Sequence, residues 1–559
     1  MADETPLVVK RGPFAPLRVP VFRRIWFASL FANFGALIQG VGAAWAMTTM
    51  TDRAELIALV QSATFAPMML GAIPAGAIAD TYDRRKVALT AQCICFAGAS
   101  GLALITFMGW LTPALLLLFC FIVGSGAALL APAWQASVRE QVPPRDLPAA
   151  IGLNSISYNI ARSFGPAIGG LLVAVAGVLS AFAFNAVAYL PAMLTMYMWR
   201  RTPEKSRLPP EGLTRAIVSG IRYVFHSPAI RTVWLRTFIL GLSGSSVSAL
   251  MPLIARDMLG GGASTYGILL GFFGVGAVAG ALYMSRLRLR LSVHDITTYL
   301  AVGMGVAVIL LGLSHSFILS CLILFLAGAC WMIAVAQANI VVQVAAPGWV
   351  GGRALAAYQV AIAGGISIGG WAWGHVAADL GIRAAVIASG IMLMANVLPA
   401  LWLRIHDAER EEPGTEPTLP DIKVGLNLVG RSGPIIISME YRVPTDKARE
   451  FYKVMQAVQL VRQRSGAYGW SISRDIADPE LWTERYHTPT WHDYLRQRNR
   501  LTPADRDISS HAQTFHIGDE PPVISRKLER PFGSVRWAED TPDMTGEIVI
   551  PVSPPSNIS

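Results

Sequence analysis

The chain has 559 residues, 53% of them hydrophobic and only 15% charged, with a mean hydropathy of +0.46. Soluble domains carry about a quarter charged residues, so most of this chain is built for a bilayer. Residues 1–405 hold 27 Lys and Arg against 13 Asp and Glu, whereas 406–559 hold 19 against 23. The basic excess therefore belongs to the apolar part and reports topology. No basic surface with interleaved aromatics argues for nucleic acid.

Residues 1–24 are polar, Pro-bearing and basic (Lys10, Arg11, Arg18, Arg23, Arg24), without a cleavage site after a short apolar core. They read as a cytoplasmic tail ahead of a non-cleaved anchor. Twelve apolar spans follow, at about 25–50, 54–79, 87–109, 112–136, 150–175, 178–199, 231–255, 264–285, 294–314, 316–342, 353–378 and 382–404. Each is long enough for a ~30 Å hydrocarbon core. With both termini inside, cytoplasmic segments carry nearly all the Lys and Arg, and the outer loops carry only Arg53, Arg256 and Arg383. The five cysteines all fall inside spans and read as buried hydrophobes, with no metal or disulfide role.

Between spans 2 and 3 runs Gly76-Ala-Ile-Ala-Asp80-Thr-Tyr-Asp83-Arg84-Arg85-Lys86. Three consecutive cations mark a cytoplasmic turn. An acid at the end of span 2 suits the positive end of a neighbouring helix, so Asp80 reads as a gate latch. Gly76, Asp80, Arg84, Arg85 and Lys86 resemble the signature loop of major facilitator superfamily transporters, with Asp83 standing where that family usually has Gly. The resemblance implies two six-helix halves that rock about a central cavity.

The chain also repeats itself. Gln135-Ala136 and Gln141-Val142 recur at Gln337-Ala338 and Gln343-Val344, and Tyr158, Gly165, Ile168, Gly169 and Gly170 recur as Tyr358, Gly365, Ile368, Gly369 and Gly370. Spans 4–5 thus match spans 10–11, a parallel duplication of halves at 25–199 and 231–405. The counterpart of the signature loop keeps Arg286, Arg288 and Arg290 but lacks the acid. Residues 200–230 link the halves. Leu213, Ile217, Ile221, Val224 and Phe225 recur there at helical spacing, which predicts an amphipathic helix on the membrane surface rather than one buried against the C-terminal region.

Gly165, Pro166, Gly169 and Gly170 predict a smooth, kinked face on span 5 that meets a helix of the other half. They resemble the Gly-Pro-x-x-Gly-Gly motif of drug-exporting major facilitator proteins. Plain helix packing is the alternative, and both readings can hold together. Arg162 lies one turn earlier, and a charge within a span is a functional candidate; binding an anionic substrate and snorkelling to the membrane edge both fit. Arg236 reads as snorkelling. Asn33, Gln39, Gln135, Tyr158, Gln337 and Tyr358 are further cavity candidates, although helix packing accounts for any one of them. No Asp or Glu lies mid-span as a proton relay.

After a linker at 406–430 the texture changes. Strands are expected at 435–443, 467–474 and 481–487, and helices at 447–464 and 491–498. This order resembles a ferredoxin-like α+β domain spanning 431–540, and 541–559 reads as a disordered tail. Arg462-Gln-Arg464-Ser-Gly466-Ala467-Tyr468-Gly-Trp470 and Trp491-His492-Asp493-Tyr494 are similar to the tail of the transmembrane secretion effector branch, which includes a catecholate-siderophore exporter. His487, His492, His511 and His516 fit no metal-ligand spacing.

The expected architecture is therefore all-α in the membrane, with twelve transmembrane helices and a cytoplasmic α+β domain. The expected function is proton-driven export of a small amphipathic molecule across an inner membrane, without cofactor, metal or ATP loop. The partners are the substrate and the lipid bilayer, with possible self-association through the C-terminal domain. The alternative is a membrane-anchored enzyme or sensor acting through that domain.

Overall fold

The computed structural model describes residues 14–200, 213–347, 350–405, 424–426, 428–499, 503–518 and 520–529. The chain forms two compact units. One comprises Met1–Ile217, Ala229–Ala346 and Gly351–Ala408; the other comprises Val218–Pro228, Pro347–Val350 and Glu409–Ser559.

The first unit is helical: α1 (Pro20–Met50), α2 (Ala54–Thr81), α3 (Arg84–Phe107), α4 (Pro113–Gln141) and α5 (Leu147–Met198) are followed, after α6 (Leu213–His226), by α7 (Pro228–Leu253), α8 (Ala263–Arg288), α9 (Val293–Leu313), α10 (Phe317–Ala345), α11 (Gly351–Leu380), α12 (Ile382–Met394) and α13 (Val397–Trp402). Their starts are written in the sequence. Thr112 caps α4 ahead of Pro113, and Ser292 and Ser316 cap α9 and α10 by accepting from backbone amides three residues on. Asp83, the departure from the family loop, caps α3 by accepting from the Lys86 amide at 3.1 Å.

Among the described residues, eleven helical segments are long and apolar enough to cross a membrane. The expected spans 150–175 and 178–199 run together in α5, which has 52 residues. A straight helix of that length would be about 78 Å long. The run is broken at Gly177 (φ 75°, ψ 173°), a conformation that glycine adopts without steric penalty. α1 packs on α5, and α3 on α4 and α5. In the second set α8 and α9 pack on α10, and α9 on α12. The α2–α11 and α5–α8 pairs join the two sets.

The second unit carries β1 (Ile435–Arg442), α14 (Ala448–Arg464), β2 (Tyr468–Arg474), β3 (Leu481–Thr488), α15 (Trp491–Asn499), α16 (Pro503–Gln513) and β4 (Val523–Leu528). The sheet has the order β2-β3-β1-β4, and every pairing is antiparallel. Ile437 sits at the centre of the register, opposite Tyr486 on one side and Arg526 on the other. Ile435, Ile437, Met439 and Tyr441 alternate inward along β1. Met439 and Tyr441 cluster there with Phe451, Met455 and Val458 of α14.

A charged pair lies inside this core. Arg462 Nε donates to Glu484 Oε1 at 3.0 Å, Tyr441 Oη to Oε2 at 3.3 Å, and Trp470 Nε1 to Oε1 at 3.0 Å. Glu484 is fully buried, and the Arg462 guanidinium lies 5.1 Å from the Tyr486 ring centre. Burial raises the Tyr486 phenol to about 12 against the opposing pull of Arg462.

Val218–Pro228 belongs to this second unit. There Arg222 Nη1 donates to the Gly466 carbonyl at 3.2 Å. Tyr223 and Val224 are buried, while Val218, Ile221 and Phe225 stay exposed. The helix expected to lie on the membrane surface is thus also tied to the C-terminal module. The turn carrying Gly466 supplies a carbonyl within reach of its arginine.

Replacing Glu484 by Leu strands the Arg462 charge and is expected to cost about 3–5 kcal/mol. The double variant Arg462→Met/Glu484→Leu is expected to recover most of that loss. Hydrogen exchange of peptides covering 435–488 in the full chain measures both.

Candidate functional site

The repeated glycines occupy equivalent places in the two sets of helices. A Cβ added to Gly169 would lie 3.1 Å from the Ile38 Cα of α1, and one at Gly369 would lie 2.5 Å from the Leu242 carbonyl of α7. A Cβ at Gly170 would lie 2.8 Å from the Gly267 Cα of α8, and one at Gly370 would lie 2.8 Å from the Ser62 Oγ of α2. One glycine of each pair thus seats its own set and the next meets the opposite set. Gly165 faces Leu37 of α1, so only part of the expected inter-half face, Gly170 with the carbonyl of Pro166, reaches α8.

The α5–α8 seam continues at Gly274, where a Cβ would lie 2.5 Å from the Arg162 carbonyl. The α2–α11 seam is held by a reciprocal pair. Ser62 Oγ donates to the Ser367 carbonyl at 2.6 Å, and Ser367 Oγ donates to the Ser62 carbonyl at 3.0 Å.

At one end of the bundle stands the signature loop. Arg84 donates to Glu140 of α4 at 2.9 Å, and Arg85 Nε donates to the Met196 carbonyl of α5 at 3.1 Å, with a second bond to the Tyr197 carbonyl. These contacts tie α3 to its own half. Lys86 is exposed, and Gly76 faces Ala356 of α11. The Asp80 side chain lies outside the described residues.

The opposite end is cross-linked by a residue that reads in the sequence as an ordinary loop cation. Arg256 lies in a π-helical turn, Ile254–Met258, that prolongs α7. Its Nη1 donates to the Thr48 carbonyl at 2.8 Å and lies 3.3 Å from Asp52, while Nε donates to Asp257 at 2.6 Å. Nearby, Trp45 of α1 stacks on Tyr266 of α8 with ring centres 6.4 Å apart. Nothing in the sequence flags the π turn that aims this side chain across.

The cavity candidates separate into two groups. Gln135 and Tyr158 are exposed. Arg162 is half-buried, with its guanidinium 5.8 Å from the Phe273 ring centre on α8. Asn33 is half-buried and donates to Ser157 Oγ at 3.4 Å. Gln39, Gln337 and Tyr358 are buried. Gln39 Oε1 accepts from Asn185 at 2.5 Å inside the first set, and Tyr358 Oη donates to the Val335 carbonyl at 2.8 Å. Neither amide atom of Gln337 has a partner among the described residues. The structure brings Tyr158 and Arg162 together one turn apart on α5, and it sets Gln337 and Tyr358 within the second set. No group of three His, Cys, Asp or Glu able to hold a metal occurs among the described residues.

The profile of the family described as transmembrane secretion effector matches residues 11–532. The chain belongs to this family, within the major facilitator superfamily. It is 27% identical over 326 residues to the enterobactin exporter EntS of Shigella boydii serotype 4 (strain Sb227), covering 57% of this chain and 75% of that protein. The EntS of Escherichia coli O1:K1 / APEC is 27% identical over 320 residues, with the same coverage. Among solved structures, an inward-facing bacterial homologue of the human lysosomal transporter Spinster superposes with a TM-score of 0.57 at 15% identity, covering 72% of this chain and all of that one. A D-xylose–proton symporter gives 0.55 at 14%, covering 70% and 97%. These structures share the fold. This secretion-effector chain is accordingly a multi-pass membrane transporter and not an enzyme.

The seam gives a direct test in this family member. Gly170→Leu inserts bulk where the backbone of α8 already lies against α5, and overpacking costs about 1–3 kcal/mol. Gly152→Leu, on the same helix with nothing within 4 Å of its Cβ position, is expected to be tolerated. Denaturation midpoints in detergent compare the two.

Proposed function

We propose that the chain exports a small amphipathic, siderophore-like or drug-like molecule across the inner membrane by alternating access, driven by a proton gradient. The observation that carries this reading is the pair of equivalent glycine seams, α5–α8 and α2–α11, about which two six-helix halves can rock. In this reading α5 crosses twice, on either side of Gly177, which makes twelve crossings with both termini cytoplasmic. Direction follows from the similarity to EntS, whose name states enterobactin export. The conformation is inward-facing: Arg256, Trp45 and Tyr266 close the outer end, while Gln135 and Tyr158 are exposed nearer the Arg84 end.

Arg162 is the candidate substrate contact. It lies within α5, its guanidinium sits beside the Phe273 ring of the other half, and it is a cation suited to a catecholate or carboxylate. Asp80 is the candidate latch on the cytoplasmic side, matching the family loop. The C-terminal module is a ferredoxin-like domain in this reading, supported by the antiparallel order β2-β3-β1-β4 with two helical crossovers, and it offers a route to self-association.

In inside-out vesicles a labelled catecholate siderophore is expected to accumulate only with a proton gradient. Arg162→Gln is expected to lower uptake about tenfold or more, equivalent to ~1.4 kcal/mol, and Asp80→Asn to abolish the gradient-dependent part. Uptake unchanged in Arg162→Gln removes that residue from the site. Arg256→Gln removes the donor that joins Thr48 and Asp52 to the opposite half. It is expected to increase labelling of Trp45→Cys by an impermeant thiol reagent added from outside; unchanged labelling would count against closure of the outer end by Arg256.

A further inference from the structure

A small cavity separate from the inter-half seams lies inside the second set of helices. It is lined by Arg236, Thr237 and Leu240 of α7, Thr297 and Ala301 of α9, Ala338 of α10, and residues near the end of the last span. Its volume is about 30 Å³, enough for one or two water-sized occupants. The walls are largely aliphatic or methyl-bearing, and Arg236 is the one charged residue among those that line the space.

That charge belongs to Arg236, which the sequence places as a snorkelling cation. It is held inward instead. Nη2 donates to Thr298 Oγ1 at 2.9 Å, and Nη1 lies 3.2 Å from His294 Nδ1. The backbone amide of Ile405 donates to the same Nδ1 at 3.3 Å. Two N–H donors converge on one ring nitrogen, so Nδ1 is the unprotonated one and acts as an acceptor. His294 and Thr298, which hold Arg236, are therefore neutral acceptors, and among the described residues no carboxylate bonds it. A guanidinium has five donors in a fixed fork, and its charge within a bundle is costly until an anion shares it.

We propose that this pocket binds one small inorganic anion of halide size, chloride being the probe, and that the anion neutralises Arg236 and locks α7 to α9. The low-polarity walls strengthen the attraction, and the small volume suits a halide better than a bulky organic substrate. The site does not depend on the export reading, since it lies within one half and its test reads binding rather than transport.

The experiment is thermal unfolding of the full chain in phosphatidylcholine nanodiscs, titrating sodium chloride against sodium gluconate at constant ionic strength. A rise in the unfolding temperature that saturates with chloride and that bromide reproduces is expected. Arg236→Gln is expected to abolish it. The exposed Arg231→Gln is expected to keep it. If Arg236→Gln does not fold, Arg236→Lys retains the charge without the fork and is expected to shift the chloride midpoint about tenfold upward. Equal stability in chloride and gluconate, an unchanged titration in the Arg236 variants, or stabilisation only in phosphatidylglycerol nanodiscs would overturn the proposal.

Discussion

Two close approaches organise the membrane unit. At Gly170 the backbone of α5 lies against that of α8 at Gly267, where an extra carbon has no place to go, and at Gly370 α11 lies against the Ser62 hydroxyl of α2. Apolar burial supplies little attraction between helices in lipid, because the lipid is as apolar as the side chains it replaces. Close packing and interhelical hydrogen bonds take over that task. Small residues permit the approach, and the reciprocal Ser62–Ser367 pair fastens it. α1 and α3 pack onto α5, α4 onto α2, and α10 onto α8.

The duplication explains why the seams match. Gly165, Gly169 and Gly170 and their partners 200 residues later stand at corresponding points on α5 and α11, each facing the counterpart of the other's neighbour: α1 and α7, then α8 and α2. The ends of the bundle do not match in the same way. One end carries the Arg84–Glu140 and Arg85–Met196 bonds within a half, while the other carries Arg256 between sets. The symmetric scaffold is thus combined with different closures at its two ends.

Much of this was legible in the sequence because membrane helices are written as long apolar runs and the repeat falls at helix-packing glycines. The C-terminal strands β1 to β3 and helix α14 were legible for a similar reason, their inward positions being apolar at strand or helix period. β4 was missed because VISRKL is an edge strand with mostly exposed residues and no inward alternation. α16 was missed because its sequence, PADRDISSHAQ, is almost wholly polar. Side-chain direction was less readable still. Gln39, Gln337 and Tyr358 carry the same chemistry as Gln135 and Tyr158, yet they point into packed helices. Residue identity does not say which face of a helix meets space when every face is apolar. The sequence places Arg256 in an outer loop without assigning it a contact, because the π turn that directs it leaves no compositional trace.

The turn at Gly177 carries a mechanical consequence. The chain reverses around a single non-helical residue, and Ser180 Oγ staples the reversal by donating to the Gly177 carbonyl at 2.6 Å and to the Leu172 carbonyl at 3.3 Å. So short a connection ties the ends of the two limbs of α5 together. In the proposed rocking motion a displacement imposed where one limb meets α8 would pass directly to the other, whereas a long loop would absorb it.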